Sequence, residues 1–599
     1  MSSLSIPFSS AICTSSIPKI STGHHRRTAR MPAHDTSRLV FRPSAVMVEG
    51  SPMTTSSNGK EVQRLITTFK PSMWKDIFST FSFDNQVQEK YLKEIEELKK
   101  EVRSTLMSAT HRKLFDLIDN LERMGIAYHF ETEIEDKLKQ AHASLEEEDD
   151  YDLFTTALRF RLLRQHRYHV SCDPFAKFVD QDNKLKESLS SDIEGLLSLF
   201  EASHLRIHNE DVLDEAIVFT THHLNRMMPQ LESPLKEEVK HALRYPLHKC
   251  LGILSLRFHI DRYENDKSRD EVVLRLGQVN FNYMQNIYMN ELYEITTWWN
   301  KLQMTSKVPY FRDRLVECYM WGLAYHFEPE YAPVRVLITK YYMTATTVDD
   351  TYDNYATLEE IELFTQAIDR WSEDEIDQLP DEYLKIVYKG LMNFTEEFRR
   401  DAEERGKGYV IPYFIEEMKR ATQGYANEQR WIMKREMPSF EEYMVNSRVT
   451  SLMYVTYVAV VAVIESATKE TVDWALSDSD IFVYTNDIGR LIDDLATHRR
   501  ERKDGTMLTS MDYYMNEYGG TMEEGEAAFR KLMEEKWKLM NAAWVDTING
   551  KESKEIVVQV LDLARICGTL YGDEEDGFTY PEKNFAPLVA ALLMNPIHI

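Results

Sequence analysis

Two acidic clusters about 140 residues apart carry the residue types that can do chemistry in this chain: Val348-Asp349-Asp350-Thr351-Tyr352-Asp353 and Asp493-Asp494-Leu495-Ala496-Thr497-His498-Arg499-Arg500-Glu501. Each sits in or beside a segment that reads as buried helix, where an unpaired carboxylate is costly, so each predicts a cation. At about 100° per residue, Asp349 and Asp353 fall on one helical face a turn apart, while Asp493, Thr497 and Glu501 follow at i, i+4 and i+8. Both rows can therefore point into one cavity. Oxygen ligands without His or Cys suit Mg²⁺ or Mn²⁺, and Mg²⁺ takes only a few protein oxygens, filling its octahedron with water and substrate phosphate oxygens. The implied substrate is a phosphate ester.

An Asp-Asp-x-x-Asp string is common on solvated helix faces, so the flanks decide. Tyr341 to Val348 holds no charge that could solvate an outer face. Arg312 and Arg314 bracket Asp313 just before a mostly apolar stretch from Leu315 to Leu323, and Arg490 precedes Asp493 by three residues. Taken singly, each arginine reads as a surface ion pair. Beside the carboxylates, guanidinium forks would hold phosphate oxygens that the metal leaves free, which points to a diphosphate.

The elements that must position these groups are helices. From about Glu61 onward strand signals are scarce, and apolar residues recur at helical spacing, as in Val87, Tyr91, Leu92, Ile95 and Leu98 among Lys and Glu. An all-α fold follows. At 599 residues the chain is too long for one ordinary core; a charged stretch before about 275 marks residues 60–275 as an amino-terminal helical domain and 276–599 as the domain with the chemistry. No short period repeats, which excludes a solenoid. A formal charge of −27 excludes nucleic acid as a partner and disfavours anionic membranes. The longest apolar run, Met453 to Ile464, is too short for a membrane anchor. Five cysteines (Cys13, Cys172, Cys250, Cys318 and Cys567) show no metal or disulfide spacing, as expected of reduced thiols in an intracellular compartment. Residues 1–50 are different: six Lys or Arg, few acids and much Ser, Thr and Pro, the composition of a plastid transit peptide. Without a working leader the cytosol is expected.

These residues together resemble the plant class I terpene synthases, over nearly all of the chain from Arg64 to Ile599. The resemblance is carried by Asp349-Asp350-Thr351-Tyr352-Asp353, by Asp493, Thr497 and Glu501, by Arg312-Asp313-Arg314 through Trp321, and by Tyr571 with Asp576-Gly577-Phe578-Thr579-Tyr580-Pro581-Glu582. It implies two helical domains, the carboxy-terminal one with the class I terpenoid synthase fold and its active site inside a helical bundle, and a monomer. It implies three Mg²⁺ ions, or Mn²⁺, held by Asp349, Asp353, Asp493, Thr497 and Glu501, with Asp350 orienting a neighbouring arginine. Arg312, Arg314 and Arg490 would stabilise the departing diphosphate of a prenyl diphosphate, which the acids and Trp321 help to bind. Trp321, Tyr571 and Phe578 match positions that line the pocket, which Tyr342 and Thr450-Ser451 also shape. Tyr571 and Asp576, with candidate proton-transfer roles, flank a lid at Gly572-Asp573-Glu574-Glu575.

One departure bears on substrate. Many plastid monoterpene cyclases carry tandem Arg ten residues before a Trp, whereas here Arg64 is followed by Leu65 before Trp74. The core looks closer to sesquiterpene synthases and the leader looks plastidial. The expectation is geranyl diphosphate converted to a volatile monoterpene, with an acyclic product such as linalool in view. The alternative is a sesquiterpene synthase acting on farnesyl diphosphate. A chain-elongating prenyl transferase, which uses two aspartate-rich motifs, and a non-catalytic helical scaffold are remote. No Asp-x-Asp-Asp string of protonation-initiated cyclases occurs; Asp149-Asp150-Tyr151-Asp152 has the wrong order.

Overall fold

A helix can be buried on nearly every side only if its polar groups are satisfied within it, and the Ala332–Asn354 helix, which carries the first acidic row, does this with threonine. Thr339, Thr344, Thr347 and Thr351 each donate to the carbonyl four residues back, at 2.6 to 2.9 Å. Pro333 starts this first acidic helix, where its missing N–H costs nothing. Near that end Arg335, wholly buried, forks onto Glu291 at 2.8 and 2.9 Å and donates to the His326 and Glu328 carbonyls. The clamp leaves the aspartate end to face the site.

This computed structural model describes residues 56–57, 60–61 and 69–599, apart from 75, 144–150, 478, 505–507, 551–553 and 573–574. The leader (1–50), the Arg64–Leu65 pair, Asp149, Asp150, and lid residues Asp573 and Glu574 lie outside them. The fold is all-α; the described β structure consists of two-residue pairing between Ser56–Ser57 and Lys60–Glu61 and an isolated bridge between Val179 and Leu185.

In the amino-terminal half, the Asn85–Ser108 helix is capped by Asp84 and turns Ile95, Val102 and Leu106 inward against the Glu271–Leu302 helix. That second helix, capped by Asp270, also packs on the first acidic helix. The boundary expected at 275/276 therefore falls inside one continuous helix that serves both halves. The main apolar core runs from Trp74 to Ile597, and two smaller ones gather around Tyr443 and Phe529 and around Leu196 and Val239, all within one compact unit.

The Leu315–Tyr325 helix lies so close to the first acidic helix that a Cβ on Gly322 would sit 2.9 Å from the Arg335 carbonyl oxygen. Opposite, the Asp480–Asp504 helix carries the second acidic row and packs between the Met522–Asp546 and Lys554–Leu570 helices. The Val410–Lys434, Phe440–Thr450 and Met453–Val461 helices join the two acidic helices into a bundle. No helix of the described residues is long and apolar enough to cross a membrane.

Candidate active site

In the first row, adjacent aspartates face different ways because successive helical residues are about 100° apart. Asp350 is fully buried and accepts from the Arg312 backbone N–H at 2.6 Å, from Arg312 Nε at 2.8 Å and from Asn354 Nδ2 at 3.0 Å. These bonds fix Arg312 in place. Arg312 Nη2 extends to Asp349 Oδ2 at 2.8 Å, and its guanidinium lies 5.6 Å from the ring centroids of both Phe69 and Phe578. One turn on, Asp353 accepts from Gln429 Nε2 at 3.1 Å.

The second row repeats the logic. Asp494 is buried, accepts the Ser510 backbone N–H at 2.6 Å and pairs with Arg490 Nη1 at 3.2 Å, while Asp493 takes the same nitrogen at 3.2 Å. Arg490 Nε is buried and without a hydrogen-bond partner. Thr497 is buried a turn beyond Asp493, and Glu501 lies a turn further, beside Arg500 Nη2 at 3.2 Å.

The rows face one another closely enough to act electrostatically. Burial raises Asp349; Arg312 opposes this, Asp350 adds to it, and Arg490 on the far row also pulls it down. Asp353 is pushed well above the usual carboxylate range by burial and then by Asp349 and Glu428. Asp493 rises by burial against the pull of Arg490, with Asp494, Glu501 and Asp576 adding. Burial carries Glu501 up to about 7, opposed by Arg500. Glu428, which accepts from Thr450 Oγ1 at 2.8 Å and Asn446 Nδ2 at 3.0 Å, is carried to about 7 by burial against Arg490. Such an excess of buried carboxylate, all oxygen, fits hard divalent cations. Among the described residues no three His, Cys, Asp or Glu side chains converge to hold an ion alone. The unpartnered Arg490 donor fits an anion beside them.

Trp321 packs on Tyr342 with centroids 5.6 Å apart, and the Tyr342 and Thr456 hydroxyls lie 3.2 Å from each other. Tyr571 follows the Lys554–Leu570 helix; burial and then Asp493 and Asp576 push its phenol well above the usual range. Asp576 pairs with Arg500 Nη2 at 2.8 Å and accepts the Thr579 N–H. Thr450 is spent on Glu428. Arg314 is elsewhere: its guanidinium donates to the Lys70, Asp313 and Thr579 carbonyls, tying the chain before Trp74 to the 576–582 loop. A separate cavity of about 400 Å³ opens between Val336, Leu337, Phe394 and Phe398, with no motif carboxylate in its wall.

Sequence reasoning missed Arg500, Glu428, Gln429 and Phe69. Arg500 had a signal: seven residues after Asp493 returns to nearly the same helical face. Glu428, Gln429 and Phe69 come from segments without a motif.

A helical bundle that turns two oxygen-bearing rows and their fixed arginines toward one aromatic-walled site has the class I terpenoid synthase architecture. Residues 300–539 match the terpene synthase family metal binding domain, and residues 73–243 the terpene synthase N-terminal domain. Gamma-cadinene synthase of Ocimum basilicum is 47% identical over 543 residues, covering 90% of this chain and 99% of the relative. Gamma-curcumene synthase of Pogostemon cablin is 43% identical over 548 residues, covering 91% and 99%. The chain is also similar to a crystal structure of limonene synthase with 2-fluorolinalyl diphosphate, at TM-score 0.84 and 30% identity over 90% of this chain and 100% of that one. Grey poplar isoprene synthase in complex with three Mg²⁺ ions and dimethylallyl-S-thiolodiphosphate gives TM-score 0.80 and 31% identity over 85% and 97%. The chain belongs to the terpene synthase family, and it is a lyase of that family.

Proposed function

We propose that this protein ionises farnesyl diphosphate, releasing pyrophosphate and a sesquiterpene. The observation that carries the ionisation chemistry is the pair of facing acidic rows, each with an arginine fixed by a buried aspartate. The fifteen-carbon substrate is supported by relatives named for fifteen-carbon skeletons, cadinene and curcumene, and by the missing tandem arginine. The main sequence expectation, geranyl diphosphate, thus becomes the second reading; the plastid-like composition of residues 1–50 favours it.

Asp349 and Asp353 on one wall, with Asp493, Thr497 and Glu501 on the other, would hold Mg²⁺. Bound there, the cations supply Lewis-acid stabilisation of charge on the leaving diphosphate. Arg312, locked by Asp350, and Arg490, locked by Asp494, present donors already in place when the carbon–oxygen bond breaks and its electron pair leaves with the diphosphate. The allylic cation left behind meets the π faces of Trp321, Tyr342 and Tyr571 rather than a nucleophile. Tyr571 stays protonated at neutral pH, because burial and two nearby carboxylates oppose its ionisation. It therefore acts as a neutral hydroxyl and aromatic face, and a base role is left without support. Asp576, held by Arg500, and Arg314 on its carbonyls keep the 576–582 loop over the site, excluding water.

The test is incubation of protein starting near Met53 with farnesyl and geranyl diphosphates separately, plus Mg²⁺, and identification of the volatiles. Farnesyl turnover to a sesquiterpene is expected, whereas turnover of geranyl diphosphate alone overturns the substrate reading. Adding isopentenyl diphosphate should give no chain growth. A fluorescent fusion of residues 1–50 tests plastid delivery.

A further inference from the structure

Arg500 Nη2 donates to Asp576 Oδ2 at 2.8 Å and to Glu501 Oε1 at 3.2 Å, and the guanidinium lies 5.7 Å from the Tyr580 ring centroid. One nitrogen thus joins the end of the second acidic row to the loop that crosses the site. Asp576 organises that loop: it is buried, its other oxygen accepts the Thr579 N–H at 2.8 Å, and the Gly577 N–H reaches back to the Leu570 carbonyl at 2.9 Å. Arg500 therefore stands between two carboxylates that belong to different parts of the machinery, with the longer bond going to Glu501.

We propose that Arg500 is a positioning residue that couples the occupancy of Glu501 to the seating of the 576–580 turn. The inference rests on the reading of Glu501 as a metal ligand. When Glu501 turns its oxygen to a divalent cation, Arg500 loses the competing acceptor and is repelled by the new charge, and both effects move it toward Asp576. The turn is then held more firmly. By linkage the reverse holds with equal size: a seated turn draws the guanidinium off Glu501 and leaves that oxygen to the cation. Arg499, one residue earlier, points away and pairs with Glu526 on the Met522–Asp546 helix, so the coupling belongs to Arg500 and not to positive charge near the helix end.

Hydrogen exchange of the full chain, followed by mass spectrometry on peptides covering 576–582, reads the turn without any need for turnover. In the unchanged protein, Mg²⁺ plus inorganic pyrophosphate should slow exchange there about fivefold or more, the scale of an ordinary coupling between sites. Arg500→Gln should raise exchange in the metal-free protein and lose that added protection, Arg500→Lys should keep part of it, and Arg499→Gln should keep all of it. Unchanged exchange in Arg500→Gln, with and without Mg²⁺ and pyrophosphate, overturns the coupling. Should Arg500→Gln not fold, Asp576→Asn breaks the same bond from the other side and must give the same loss. Glu501→Gln separates the two readings: undiminished Mg²⁺-pyrophosphate binding there removes Glu501 as a ligand, whereas weakened binding with a turn indifferent to Arg500 sinks the coupling alone.

Discussion

Asp349 and Asp350 are neighbours with opposite effects on the folded chain. Asp350 accepts three hydrogen bonds, two of them from Arg312, and is fully buried. Asp349 is carried up to about 6 by burial, against the pull of Arg312, with the charge of Asp350 adding to the rise. Asp350→Ala strands the Arg312 N–H and guanidinium and should destabilise the metal-free protein by about 3–5 kcal/mol, as for other broken buried pairs. Asp349→Ala removes a disfavoured carboxylate while Arg312 retains Asp350, so its melting temperature should equal or exceed that of the unchanged protein. Both should lose Mg²⁺-dependent turnover. Thermal denaturation beside a pyrophosphate-release assay checks the pair, and equal loss of stability in both would refute the division of labour.

The elements bring together what the motifs leave apart. Trp74, before the first long helix, donates its indole N–H to Glu317 Oε1 at 2.8 Å, with both residues buried. The other Glu317 oxygen is buried without a partner, and burial pushes the carboxyl up to about 7. Trp74→Phe should therefore cost about 1–3 kcal/mol at pH 8, where the carboxylate loses its donor, and clearly less at pH 6, where it holds a proton. Glu317→Gln in that background should recover part of the loss, as read by melting temperature at both pH values. A cost independent of pH would mean that packing alone is at stake. The all-α class and both acidic rows were legible in the sequence because helical periodicity and i, i+4 spacing are local properties. Arg314 was legible as a cation but not in its role, because the carbonyls it holds belong to Lys70 and Thr579, far away along the chain. The position expected as the 275/276 boundary was read from a charge-rich stretch, which marks a surface; it lies within the Glu271–Leu302 helix, which packs against both halves.

Over the whole molecule the balance of buried ionisable groups sets how stability varies with pH. Glu201, Glu317, Glu428 and Glu501 all stand near 7 through burial, against about 4.3 in an unfolded chain. Between those values the folded protein holds protons that the unfolded chain has released, so these groups make stability fall as pH rises through the window. His129 and His241 are carried down to about 4 and His248 to about 3, chiefly by burial. Below about 6.5 the unfolded chain gains protons at these sites and the folded one does not, so they make stability fall as pH falls. The net charge of −27 adds self-repulsion that changes little between pH 6.5 and 8, since few surface groups titrate there. The melting temperature of the metal-free protein should therefore rise as pH drops from 8 to about 6.5 and then level off. Mg²⁺ with pyrophosphate should reverse the upper part of that trend, because cations at Glu501 and the aspartates need those groups ionised and must displace their protons. The stabilisation they confer should be larger at pH 8 than at pH 6. A shift in melting temperature of the same size at both values would mean that the bound cations do not rest on the buried acids.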